Sequence, residues 1–199
     1  AFSNLAALIN YATTFAITFL LSLYLQYIKG LSPRDAGMIL VTQPVLMAIV
    51  ASVSGRLSDR HDPRILASIG MAVIVAGLLM LTLLGSDSSL SQLVVILAVV
   101  GFGFGMFSSP NTNAIMGSVD RKFLGVASAT VGTMRLTGQM MSMGIATLIL
   151  QLFVGNESIS DANAAGFMSS MRTTFAVFVV LCTIGIFASL ARGKSTRFS

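Results

Sequence analysis

A chain of 199 residues with 55% apolar and only 10% charged residues has too few charges to clothe a soluble core, since soluble domains carry roughly 25% charged residues. The formal net charge of +5 does not read as nucleic-acid binding, because the basic residues sit in short segments between apolar runs and no basic face is interleaved with aromatics. One Cys and one His exclude a disulfide framework and a Cys/His metal cluster, and Cys182, inside an apolar run, reads as a small buried apolar residue.

The solvent that tolerates such an exterior is a bilayer, whose spanning helices need ~20 apolar residues. Six runs qualify, over 4–28, 36–58, 65–85, 90–116, 125–153 and 167–190. The fold class expected is all-α, a polytopic membrane protein with a six-helix transmembrane bundle over 1–191 and a basic tail over 192–199. The chain opens Ala1-Phe2-Ser3 without Met or a signal-peptide pattern, so it is expected to be a segment of a longer protein.

The first run places Asn10, Thr14, Thr18, Ser22 and Gln26 at a spacing of four. Each step advances roughly 400°, so the stripe drifts by roughly 40° per step and its first three members share a face. Tyr11 and Phe15 border it. Small polar residues in a membrane helix also bond to neighbouring helices, so cavity lining and helix packing both stand. Lys29 to Pro33 form the first connection, and Pro33 suits a helix start. In the second run Gln43-Pro44 removes a backbone donor and leaves carbonyls that can bend the helix or bind polar groups. A hinge and a static kink are both consistent with it.

The second and third runs are joined by Gly55-Arg56-Leu57-Ser58-Asp59-Arg60-His61-Asp62-Pro63-Arg64. Gly55 permits close helix approach, Asp59 can neutralise a positive helix N-terminus, and Arg60 and Arg64 can pair with Asp59. Such a cluster can latch one conformation and break in another; a solvated loop obeying charge topology is the alternative. The fourth run carries Gly101, Gly103 and Gly105, then Pro110, Asn111 and Asn113. It lacks the Lys-Ser/Thr of a phosphate loop. Gly103, Gly105, Pro110 and Asn111 are candidate hinge positions beside Gln43 and Pro44.

The fifth run contains Arg135 and Gln139. Arg135 stands ~15 Å along it at ~1.5 Å per residue, where a lipid-facing charge costs at least ~2.5–3.5 kcal/mol. It must face protein or water. It touches substrate, pairs with an acid elsewhere, or holds the carbonyls of a broken helix. Gly132, Gly138 and Gly144 read as packing glycines. All seven acids lie in connections or at span ends, so no proton-carrying group sits at mid-membrane. No paired carboxylates or Ser/His/Asp set can be assembled into one site, so enzymatic activity is not expected. Lys and Arg number eight in the second connection, the fourth connection and the tail, against three on the other side, which predicts cytoplasmic termini. Six spans are compatible with a three-plus-three inverted repeat, although no internal sequence symmetry is evident.

The loop residues Gly55, Asp59, Arg60 and Arg64 resemble the signature loop of the major facilitator superfamily, with Asp62 where that family usually has Gly. Phe19 to Gln26, Gly30 to Pro33 and Ala36-Gly37 are similar to its seventh-helix region, and Gly101 to Gly105 with Ser109-Pro110 to the fourth helix of its C-terminal half. The flavour is that of the drug:proton antiporter branch. The resemblance implies that Asn10, Tyr11, Thr14, Phe15, Thr18, Arg135 and Gln139 line a central cavity. It implies alternating access driven by a proton or other ion gradient without a cofactor, and export of amphipathic compounds across the cell membrane. The partners implied are membrane lipid, the N-terminal half of a transporter that holds the carrier acid, and a small amphipathic substrate. The branch's antiporter signature belongs to that other half, and this segment alone is not expected to transport. A metabolite or sugar carrier, and a non-transporting scaffold or sensor on the same fold, are the alternatives; a channel is disfavoured because no charged or carbonyl ring is apparent.

Overall fold

The structure, a computed structural model, describes residues 2–58, 60–155, 159 and 163–190. Asp59 and the tail over 192–199 lie outside the described residues. Helix α1 (Phe2–Leu23) continues as a π-helix (Tyr24–Ile28). It is followed by α2 (Pro33–Leu40), α3 (Thr42–Ser58), α4 (Pro63–Thr82) and α5 (Leu90–Gly117). A 3-10 turn (Arg121–Phe123) leads into α6 (Leu124–Val154), and α7 is Ala164–Leu190. Because α2 and α3 form one span, six helices among the described residues are long and apolar enough to cross a membrane. The chain is a multi-pass membrane protein of the all-α class.

Helix starts follow local chemistry. The second span begins at Pro33, three residues before the apolar run, because Ser32 accepts from the Asp35 amide at 3.2 Å and Pro33 takes a position that needs no amide. Asp62 does the same for α4, accepting from the Arg64 amide at 3.0 Å ahead of Pro63. Ser89 caps α5 through the Gln92 amide at 3.1 Å. Gly30, at φ 64°, supplies the left-handed residue that ends the first span.

The second span is interrupted at Val41, between α2 and α3. Pro44 has no amide to return to Leu40, and it sits in the first turn of α3, where that donor is not required. In contrast, α5 runs unbroken through Pro110.

The six spans exchange partners. α5 is clasped between α3 and α4, α1 packs on α6 and α7, and α4 packs on α7. Counting spans, the second lies on the fourth and the fifth lies on the first, so each triplet lends its middle helix to the other. An odd number of spans per triplet reverses direction, which is the arrangement of an inverted repeat. The symmetry lives in the pairing of helices rather than in matching residues. A shared core holds it, with Ile17, Leu20, Met71, Ile74, Phe104, Phe107, Phe175, Phe178 and Cys182 buried.

The alternating glycines of α5 allow the clasp. A Cβ at Gly101 would lie 2.5 Å from the Gln43 carbonyl, and one at Gly105 2.8 Å from that of Met47, both on α3. Gly103 points the other way, where a Cβ would lie 2.9 Å from the Gly70 carbonyl on α4. Lipid offers no hydrophobic drive between helices, so close van der Waals packing of this kind carries the association.

Candidate functional site

Helix α1 is surrounded on most sides, and its outward positions mix apolar residues such as Leu5 and Leu8 with the polar stripe. Asn10 is buried, Tyr11, Thr14, Phe15 and Ser22 are half-buried, and Thr18 is exposed. The expected stripe therefore rotates out of the bundle as it climbs, following its drift. Thr14 donates to the Asn10 carbonyl at 3.0 Å and Thr18 to the Thr14 carbonyl at 3.1 Å, while Gln26 donates to Ser22 Oγ at 2.9 Å. These donors are spent within the helix, and their oxygens remain able to accept.

Helix α6 adds the charge. Gly138 seats it on α1 so closely that a Cβ would lie 2.6 Å from the Leu8 carbonyl. One turn earlier, the Arg135 guanidinium sits 5.8 Å from the centre of the Tyr11 ring, within cation–π range. Arg135 is exposed and has no carboxylate partner among the described residues; Gln139, the next residue on its face, is half-buried. Two adjacent helices thus present Tyr11, Phe15, Thr18, Arg135 and Gln139 on one side.

Among the described residues, three buried polar atoms have no partner: Asn10 Nδ2 on α1, Asn111 Oδ1 on α5 and Ser142 Oγ on α6. Such atoms are uncommon in packed interiors. They belong to the helices that border the α1–α6 side. Thr13 does the opposite, donating to the Ile9 carbonyl at 2.8 Å and approaching Cys182 Sγ at 3.1 Å, and so ties α1 to α7.

The C-terminal end of α3 is zipped to α5. A Cβ at Gly55 would lie 2.6 Å from Ser109 Oγ. Ser54 donates to the Gly105 carbonyl, and Asn113 to Ser58 Oγ, each at 2.8 Å. Arg60 is exposed. Arg64 forms an ion pair with Asp62 at 2.6 Å, so the acid that replaces the expected Gly both caps α4 and holds this arginine. The pairing of Arg60 and Arg64 with Asp59 falls outside the described residues. Of the hinge candidates, Gln43 is buried with its carbonyl against Gly101, Pro44 is exposed, and Gly103, Gly105, Pro110 and Asn111 are buried within the unbroken α5.

The chain matches the Major Facilitator Superfamily over residues 4–197. It belongs to that superfamily. Among its relatives, the riboflavin transporter RibZ of Clostridioides difficile strain 630 is 28% identical over 184 residues, 92% of this chain and 40% of that protein. The uncharacterized transporter YebQ of Escherichia coli K12 is 32% identical over 149 residues, 75% of this chain and 33% of YebQ. The multidrug efflux pump LfrA of Mycolicibacterium smegmatis is 27% identical over 146 residues, 73% of this chain and 29% of the pump. The fold is that of a D-xylose-proton symporter crystal structure, at a TM-score of 0.64 and 17% identity, covering 99% of this chain and 48% of the symporter. The superfamily chain spans two-fifths or less of the curated relatives named here and about half of the solved one.

Sequence reasoning passed over several residues of this superfamily chain. Ser142 and Thr13 carry the same signal, a small polar residue in an apolar run, yet one is unpartnered and the other bonded twice. Only helix phase separates them. Arg172 donates to the Leu84 carbonyl at 3.0 and 3.3 Å.

Proposed function

We propose that the protein containing this chain exports amphipathic small molecules by alternating access, using a proton or other ion gradient, with the α1–α6 side forming part of its central cavity. The observation that carries this reading is Arg135, exposed deep in a spanning helix beside Tyr11 and the polar stripe of α1. A charge facing lipid at that depth costs at least ~2.5–3.5 kcal/mol, so this side turns to water or to another part of the transporter. The outer sides of α4 and α7 expose Ile69, Leu79, Leu83, Val180 and Ile184 instead and suit lipid.

The basic connections put both ends of the segment in the cytoplasm, and the membrane is the cell membrane. Among the described acids, Asp35, Asp87 and Asp120 are exposed near span ends and Asp62 is paired. The proton-carrying acid therefore belongs to the remainder of the transporter, with which Tyr11, Phe15, Thr18, Arg135 and Gln139 enclose the substrate. Substrate movement follows from exposing this side alternately to each face of the membrane.

A metabolite carrier is the second reading. The likeness to a riboflavin transporter across 92% of the chain favours it, as does a cavity side that offers a cation and no anion. Full-length protein in proteoliposomes under a pH gradient separates the two. Collapse of the gradient on adding cationic dyes supports efflux, whereas riboflavin-driven flux with inert dyes supports the carrier. Neither flux, in vesicles that hold the folded protein, leaves the scaffold.

A further inference from the structure

We propose that the groove between α4 and α7 is a phospholipid site, with the lipid phosphate on Arg172 and an acyl chain lying along the two helices. The groove has a volume of about 490 Å³ and is lined by Leu79 and Thr82 of α4 and by Arg172, Thr173, Ala176, Val179 and Val180 of α7. That volume falls within the ~300–1,000 Å³ of ordinary ligand clefts. The lining holds one charge and no acid.

The position of that charge is fixed from behind. Just beyond the end of α4, three side chains bind three consecutive carbonyls of the connection to α5. Arg172 donates to Leu84, the Tyr24 hydroxyl to Gly85 at 2.8 Å, and Lys29 to Ser86. Arg172 spends only Nε and one Nη on this contact, and a guanidinium carries five N–H groups in a planar fork. The remaining edge has no partner among the described residues and is exposed at the groove mouth. Arginine forks of this kind bind phosphate in a bidentate manner.

The dimensions match one leaflet. From Arg172 to Val180 the helix descends eight residues, about 12 Å at 1.5 Å per residue, against ~15 Å for half of a ~30 Å hydrocarbon layer. Leu84 follows the end of the α4 span, so the guanidinium lies at headgroup level while Ala176, Val179 and Val180 lie among the chains. Other described positions on this side, including Ile69, Leu83 and Ile184, are apolar and exposed without a cation. They are wetted by lipid with no headgroup contact to hold it.

Native mass spectrometry of the full-length protein in detergent tests the site with three probes: phosphatidylglycerol, diacylglycerol with the same chains, and glycerol phosphate. One phosphatidylglycerol is expected to stay bound, about tenfold tighter than diacylglycerol, with glycerol phosphate failing to compete. Arg172→Gln should remove that tenfold preference. Ala176→Trp, which fills the groove and leaves the Leu84 contact in place, should abolish retention of both lipids, and it carries the test if Arg172→Gln does not fold. Unchanged phosphatidylglycerol retention in either folded variant, equal affinity for diacylglycerol, competition by glycerol phosphate alone, or a dimer mass in place of the lipid-bound monomer would each overturn the site.

Discussion

The α1–α6 side and the α4–α7 side both leave side chains exposed, and the spans of the first are less apolar than those of the second. They differ in what they leave out. α1 and α6 expose Thr18 and Arg135 among apolar positions such as Leu5, Leu136 and Met140, with Tyr11 and Gln139 half-covered, whereas α4 and α7 expose Ile69, Leu79, Leu83, Val180 and Ile184, with Arg172 as the charge near one end. Mean hydropathy is lower for α1 and α6 than for α4 and α7, but it does not say which face of each helix turns to lipid, because every span is apolar enough to enter a bilayer. The residues that distinguish lipid from cavity are few, and they count only when their place on the helix surface is known.

The comparison breaks most sharply if a charge is moved from one side to the other. Ile184→Arg places a guanidinium against lipid and is expected to cost ~2.5–3.5 kcal/mol, whereas Thr18→Arg on the polar stripe should cost less than about 1 kcal/mol. Unfolding of the full-length protein in bicelles measures both, and equal losses would remove the distinction between the sides. Next in size is Gly138→Leu. Its side chain would meet backbone of α1 rather than a movable side chain, so an overpacking penalty of ~1–3 kcal/mol is expected. The same substitution at Gly144, with open space around it, should be nearly silent in the same assay.

Much of this was legible along the chain, for physical reasons that differ by feature. The span limits followed from hydrophobic length, and the caps at Ser32 and Asp62 account for the starts at Pro33 and Pro63. The role of α5 as a clasped helix was half-visible. Gly101, Gly103 and Gly105 stood out along the chain, two of them as hinge candidates, but only the tertiary pairing shows Gly101 and Gly105 packed closely on α3 and Gly103 on α4. The polar stripe of α1 was visible as a spacing of four, yet its phase was not. Asn10 turns into the bundle and Thr18 out of it, a difference of about 80° by the drift of the pattern. The exchange of middle helices between triplets left no trace in residue identity, because packing in lipid needs small residues at crossing points rather than a repeated sequence. Arg172 was hidden for a similar reason, since its acceptor at Leu84 is 88 positions away in the chain.

The N-terminal cap of α4 supplies a prediction of intermediate size. Asp62→Gly restores the residue usual for the superfamily but removes both the cap on the Arg64 amide and the carboxylate that holds the Arg64 side chain. Loss of an Asp cap costs ~0.5–2 kcal/mol, and Gly recovers most of it, while an ion pair this accessible to solvent contributes ~1 kcal/mol or less. A destabilisation of about 1 kcal/mol is therefore expected in the same unfolding assay, on the side of the molecule away from the polar stripe, with transport retained. A collapse of transport with intact stability would instead assign the Asp62–Arg64 pair to the conformational cycle.

The smallest effect on stability, and the one that bears most directly on function, concerns Tyr11. An exposed cation–π contact is worth ~0.5–1 kcal/mol, so Tyr11→Leu should scarcely move the unfolding midpoint. It also removes the ring that holds the Arg135 guanidinium above the stripe, and Tyr11→Phe keeps it. If the two residues form one substrate-facing unit, Tyr11→Leu and Arg135→Gln should each reduce flux about tenfold, and the double substitution should do little more than either alone, as expected of residues that act together. Tyr11→Phe should remain near the parent. Additive losses would mean that Arg135 meets the substrate or the rest of the transporter independently of Tyr11. Loss of flux in Tyr11→Phe would move the weight from the ring to its hydroxyl, and the cavity side would then recognise substrate by hydrogen bonding rather than by a ring and a charge.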